Sequence, residues 1–117
     1  MDVEKFRVFC LSLPHATEHL PFDDVTLVFK IGGEKIFAIL PLDVANCANL
    51  KCDPEKAPEL RTEFVGVKPG FHMNKKYWNT VHFFADVSDE LIFEWVKHSY
   101  DLVYHKMTRK LKDQYPL

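Results

Sequence analysis

Residues 25–40 read VTLVFKIGGEKIFAIL, and no other stretch of the chain restricts its fold so tightly. Val25, Leu27, Phe29 and Ile31 alternate with Thr26, Val28 and Lys30, the two-residue period of a strand. Gly32-Gly33 admits left-handed backbone at both positions, which predicts a tight hairpin turn. Ile36, Ala38 and Leu40 share one face of the returning strand, and Phe37 and Ile39 occupy the other. Apolar residues on both faces predict a central strand, closed by Pro41. Strands joined by so short a turn pair antiparallel, which excludes an all-helical chain and a purely parallel sheet.

The flanking segments supply helices. Val3, Phe6, Cys10 and Leu13 recur at helical spacing behind Asp2 as N-cap, and Pro14 ends the pattern. Residues 14–24, PHATEHLPFDD, read as a loop between prolines. Ala48, Leu50 and Cys52 alternate with Cys47, Asn49 and Lys51, predicting a third strand. Asp53-Pro54 then marks a helix start, Ala57, Leu60 and Phe64 give its buried stripe, and Pro58 is placed to split or kink it. Residues 78–84, WNTVHFF, predict a fourth strand. Ser88 caps a long helix with Asp89 and Glu90 in its first turn. Its apolar stripe runs through Leu91, Ile92, Trp95, Val96, Leu102, Val103 and Met107. Residues 108–117, TRKLKDQYPL, read as a fraying basic tail. This order of elements predicts an α+β fold, a curved antiparallel sheet with helices packed on one face. Residues 1–117 are read as one domain.

Composition bounds the function. At 117 residues and 47% hydrophobic content the chain can build a core without disulfides or a structural metal. No run is long and apolar enough for a membrane span, and MDVEKFRVF mixes charges into its apolar residues, unlike a secretory signal. An odd count of three cysteines predicts buried, reduced thiols and a cytoplasmic protein. The net charge is −2, which disfavours a partner held by bulk electrostatics. The charge is uneven, however: residues 1–64 carry 7 basic and 11 acidic side chains, residues 65–117 carry 8 and 6.

Several constellations carry potential chemistry. His15-Ala16-Thr17-Glu18-His19 spells H-x-x-E-H, a zinc-peptidase pattern, but the flanking prolines leave no room for the helix that would aim both imidazoles at one ion. Glu94, His98, Asp101 and His105 follow one another at steps of four, three and four on the long helix, a spacing suited to a divalent metal or to a solvated face. There is no nucleophile–base set and no phosphate-cradling glycine loop, so the chain reads as a non-enzyme without a cofactor. Residues 69–81, PGFHMNKKYWNTV, interleave cations, amides and aromatics, the components of a nucleic-acid surface. The structural alternative has Trp78 as a core plug and Asn74 closing a turn.

These residues also resemble the MmcQ/YjbR-like family of small bacterial proteins. The resemblance covers nearly the whole chain. It is carried by Leu13-Pro14, Glu18, Pro21-Phe22, the strand pair, Leu50-Lys51-Cys52-Asp53-Pro54-Glu55, Leu60-Arg61 and Pro69-Gly70-Phe71-His72-Met73-Asn74-Lys75 with Trp78. His98-Ser99-Tyr100-Asp101-Leu102-Val103 completes it. His15 stands where the family often has glycine. The resemblance implies a double-wing fold like that of the bacterial frataxin homologue, and binding to DNA. It does not bring an iron site, because the first helix has only Asp2 and Glu4 as acids, opposed by Lys5 and Arg7. The resulting expectation is a non-enzymatic module for double-stranded DNA. His72, Asn74, Lys75, Lys76 and Trp78 would meet the duplex, joined by Lys106, Arg109 and Lys110. A pocket for a protein or small molecule beside the 70–78 loop is the alternative, and a metal site on the long helix the third.

Overall fold

A computed structural model describes residues 1–71 and 73–117. Among them are four helices and six strands: α1 (Val3–Ser12), β1 (Ala16–His19), β2 (Thr26–Ile31), β3 (Lys35–Pro41), β4 (Cys47–Lys51), α2 (Lys56–Glu63), β5 (Val67–Pro69), β6 (Trp78–His82), α3 (Asp89–Lys106) and α4 (Arg109–Gln114). The strands form one antiparallel sheet in the order β1-β2-β3-β4-β6-β5. The α+β class and the central position of β3 are as the alternation predicts. Gly32 and Gly33 both take positive φ, +59° and +73°. Ile31 pairs with Lys35, so Glu34 also belongs to the turn.

One apolar core gathers Phe6 and Cys10 from α1, Ala57 and Leu60 from α2, and Ile92, Trp95, Val96 and Tyr100 from α3 against the sheet. Phe6 meets Phe29 and Phe83, and Tyr100 stands edge-on to Phe37. The buried Tyr100 hydroxyl donates to the Pro14 carbonyl at 2.5 Å, tying α3 to the end of α1. Asp2 and Ser88 cap α1 and α3 as expected. Asp53 accepts from the Glu55 and Lys56 amides, so it serves as the start signal although α2 begins at Lys56. Pro58 leaves α2 whole because it sits in the first turn, where its missing N–H has no helical partner to lose.

Three segments depart from expectation. Residues 16–19 are an edge strand rather than loop: β1 pairs with β2, and Glu18 is clamped by Arg7 through two contacts of 2.7 and 2.5 Å. Every residue of β1 is half-buried, so no alternation marks it. Residues 67–69 form a second edge strand too short for any period to show, with Pro69 tolerated at the edge. The basic tail is ordered as α4, capped by Thr108, and Tyr115 packs so closely against Gly32 that a Cβ there would collide with its ring. His15 has φ +62°, the left-handed backbone that suits a glycine.

Candidate functional site: a cationic cleft where β3 leaves β4

β3 and β4 pair only at Ala38–Leu50 and Ile39–Asn49. One residue further on, where Phe37 would meet Lys51, α3 intervenes. Ser99, fully buried, donates to the Phe37 carbonyl at 2.5 Å and accepts from the Lys51 amide at 2.9 Å. The β2–β3 register shifts at the same place, making Phe37 a bulge that steers β3 away from β4. Beyond Lys51, the Cys52 amide donates to the Tyr77 carbonyl at 2.7 Å.

The divergence opens a cleft of about 460 Å³. Ile36, Trp78, Val103 and Met107 give it an apolar lining, Lys35, Lys51 and Lys106 a cationic one, and Glu34 a single carboxylate. Tyr77 stands beside it and gathers cations from two elements: the Lys106 ammonium lies 5.2 Å from the ring centroid and that of Lys76 5.5 Å. Such contacts partly offset the repulsion between like charges. Burial first, and then the charges of Lys106 and Lys35, hold the Lys51 ammonium below its ordinary range, with Tyr77 acting in the opposite sense. Among the described residues no ion pair neutralises Lys35, Lys51, Lys76 or Lys106.

The loop reaches this place because of Arg61 on α2. Its Nε donates to Asn79 Oδ1 at 2.6 Å, and its Nη2 donates to the carbonyls of Lys75 and Trp78. Gly70 is required where the loop returns: its amide donates to the Trp78 carbonyl at 2.9 Å, and a Cβ there would lie 2.7 Å from that of Trp78. Asn74 closes the turn, accepting from the Lys76 amide through its side chain and from the Tyr77 and Trp78 amides through its carbonyl.

The expected site residues therefore divide. Trp78 and Lys106 line the cleft, and Lys76 meets Lys106 only through the Tyr77 ring that both ammoniums approach. Lys75 turns its ammonium back to the Gly70 carbonyl at 3.4 Å, and the side-chain oxygen of Asn74 serves its own turn. Arg109 and Lys110 lie exposed on α4, with Arg109 facing Asp113 at 3.8 Å, and no contact among the described residues ties either to the cleft. His72 lies outside the described residues. Tyr77 belongs to the aromatics that mark the 69–81 stretch, whereas Lys35 and Lys51 had no sequence signal as cleft residues, since they lie on different strands and only the fold makes them neighbours.

The two metal patterns disperse. His15 bonds the Pro116 carbonyl, Glu18 is held by Arg7, and His19 bonds Thr17. Asp101 pairs with Lys97, and no cluster of metal-ligating side chains occurs among the described residues. His98 instead joins α3 to the start of α2, its Nε2 accepting from the Asp53 amide at 3.3 Å. Burial, and then Lys56, push its pKa below the ordinary 6.5, against the opposing pull of Asp53 and Asp101. A neutral ring in the fold and a protonated one in the unfolded chain make stability full above pH 6.5 and falling as pH drops below it through the folded pKa. Urea unfolding across that window is expected to show this slope, and His98→Gln is expected to flatten it. An unchanged slope in the variant assigns the pH response elsewhere.

The fold and cleft define a class: a six-stranded antiparallel sheet with helices on it, and cations gathered where two central strands diverge. The chain belongs to the YjbR family, whose profile matches residues 11–102. It is 32% identical over 107 residues to the uncharacterized protein YbdF of Escherichia coli O157:H7, covering 92% of this chain and 88% of that one. It is 28% identical over 100 residues to the uncharacterized protein YjbR of Escherichia coli K12, covering 86% and 85%. The crystal structure of Deinococcus radiodurans protein DR2400, a DUF419 domain, superposes with a TM-score of 0.86 at 36% identity, covering 96% of this chain and 86% of that one. A protein from Pseudomonas syringae shares the fold at a TM-score of 0.76 and 23% identity, over 88% and 99%.

Proposed function

We propose that this protein is a non-enzymatic DNA-binding module of the cytoplasm that meets the duplex phosphates with the face around Tyr77. The observation that carries this reading is the gathering of Lys35, Lys51, Lys76 and Lys106 from four separate segments, in a protein whose net charge is −2. Unpaired ammoniums brought together repel one another, and a polyanion relieves that repulsion. The double-wing description belongs with this reading: the β2–β3 turn and the loop after Gly70 would be the wings, with the cleft between them. Asn74 and Lys75 then act at the margin, and Arg109 and Lys110 add only long-range attraction. The buried free thiols of Cys10, Cys47 and Cys52 agree with a reducing compartment, and no helix among the described residues is long and apolar enough to cross a membrane.

Salt dependence is the test. Four phosphate contacts give a log–log slope of about −3.6, so affinity for a short duplex is expected to fall on the order of a hundredfold between about 50 and 200 mM salt. Lys51→Gln with Lys106→Gln is expected to weaken binding to all sequences alike and to bring the slope to about −1.8. Absence of binding at about 50 mM, or a flat slope, removes the reading. The concavity beside Trp78 favours a second reading, a receptor for a small anionic molecule.

A further inference from the structure

We propose that the cleft where β3 leaves β4 is a receptor for a phosphomonoester dianion, presented by the 5′ end of a nucleic-acid strand or by a free nucleotide. The strand-end source rests on the DNA-binding reading above, whereas the receptor itself does not.

Charge, shape and rigidity point the same way. Lys35, Lys51 and Lys106 against Glu34 leave an excess of two positive charges in the lining. A phosphodiester carries one negative charge, whereas a terminal phosphate carries about 1.5 to 2 at neutral pH. The match is therefore to the monoester. A volume of about 460 Å³ lies within the range of small-ligand sites. Backbone phosphates of a duplex pass along the rim of the opening within reach of the lysine side chains, whereas a strand end or a free nucleotide has the freedom to seat its phosphate inside the recess. Trp78, Ile36 and Val103 supply apolar surface for the attached sugar and base. The recess is built into the fold, because the buried Ser99 hydroxyl occupies the two backbone groups that would otherwise be free to pair and close it. The half-buried Lys51 side chain lines the recess, and the Lys106 ammonium is held at Tyr77 before any ligand arrives.

The test compares one oligodeoxynucleotide with a 5′-phosphate or a 5′-hydroxyl, single-stranded and as a duplex, by fluorescence anisotropy at about 50 mM salt. Adenosine monophosphate and adenosine are the small-molecule arms, read by calorimetry. The 5′-phosphate is expected to tighten oligonucleotide binding about tenfold, and adenosine monophosphate to compete where adenosine does not. Lys51→Gln is expected to abolish both differences. Lys35→Gln, at an exposed position, repeats the measurement without disturbing the fold, and Lys97→Gln, on an ion pair outside the cleft, is expected to preserve both. Equal affinity with and without the phosphate, together with no competition by the monophosphate, overturns the receptor and leaves the DNA-binding reading standing on its salt slope. Binding of the monophosphate without binding of any oligonucleotide keeps the receptor, assigns it to free nucleotides and removes the DNA-binding reading. Binding of neither removes both.

Discussion

Ser99→Ala is expected to destabilise the protein by about 2–4 kcal/mol, because one hydroxyl satisfies two backbone groups at once. It donates to the Phe37 carbonyl and accepts from the Lys51 amide, and its own side chain is fully buried. Each group left without a partner away from water costs about 1–3 kcal/mol, while the removed hydroxyl leaves only a small void. Chemical denaturation measures the loss. A change below about 1 kcal/mol would show that Phe37 and Lys51 find each other in the variant. In that case β3 and β4 have zipped one step further and the cleft has narrowed, so anion binding is expected to fall even as stability is kept. Stability and binding together thus separate the two responses. Ser99→Thr preserves the hydroxyl but adds a methyl group to a packed interior, and is expected to be destabilising by a smaller amount.

Arg61→Ala is expected to cost about 2–3 kcal/mol and to free the loop that carries Lys76 and Tyr77. Arg61 spans α2, the loop and β6, donating to Asn79 Oδ1 and to the carbonyls of Lys75 and Trp78. Asn79 is buried, and its remaining bond, from Nδ2 to the Ala57 carbonyl at 3.3 Å, leaves the orphaned Oδ1 unsatisfied. Hydrogen exchange is expected to quicken at residues 74–78 and to stay slow in the middle of α3, whose bonds do not involve Arg61. Equal protection in the loop of variant and parent would show that Asn74 and Gly70 suffice to hold it. Arg61→Lys is expected to recover little, since one ammonium cannot reproduce a planar fork aimed at three acceptors. Because the loop positions Tyr77, and Tyr77 positions the ammoniums of Lys76 and Lys106, the same variant is expected to weaken anion binding without removing a cleft lysine.

The resemblance to a family and the alternation of residues 25–40 make much of the fold legible: class, hairpin, central strand and the caps of α1 and α3. β1 and β5 stay hidden because edge strands draw their stability from main-chain pairing, which leaves no side-chain period. α4 gives the pattern of a fraying tail because its six residues bury none of their own side chains, and Tyr115 just beyond it makes the packing contact with Gly32. At the site, Lys76 and Trp78 are legible because cations beside aromatics stand out in a linear string. Lys106 enters the reading together with Arg109 and Lys110, as the basic end of the chain, and of these three only Lys106 lines the cleft. Arg61, Ser99 and Lys51 give no such signal, since what they do is defined by backbone groups of distant segments.

What the linear order of side chains determined by itself was local: where periods of two and of about 3.6 begin and end, and which residues cap them. Those choices depend on neighbours a few positions away, so they can be read without a fold. What the tertiary structure decided was that β3 and β4 separate before Phe37 can meet Lys51, and that lysines from β3, β4 and α3 line the opening. That outcome depends on a helix inserting one hydroxyl between two strands, an event set by three-dimensional packing and carried by no periodicity.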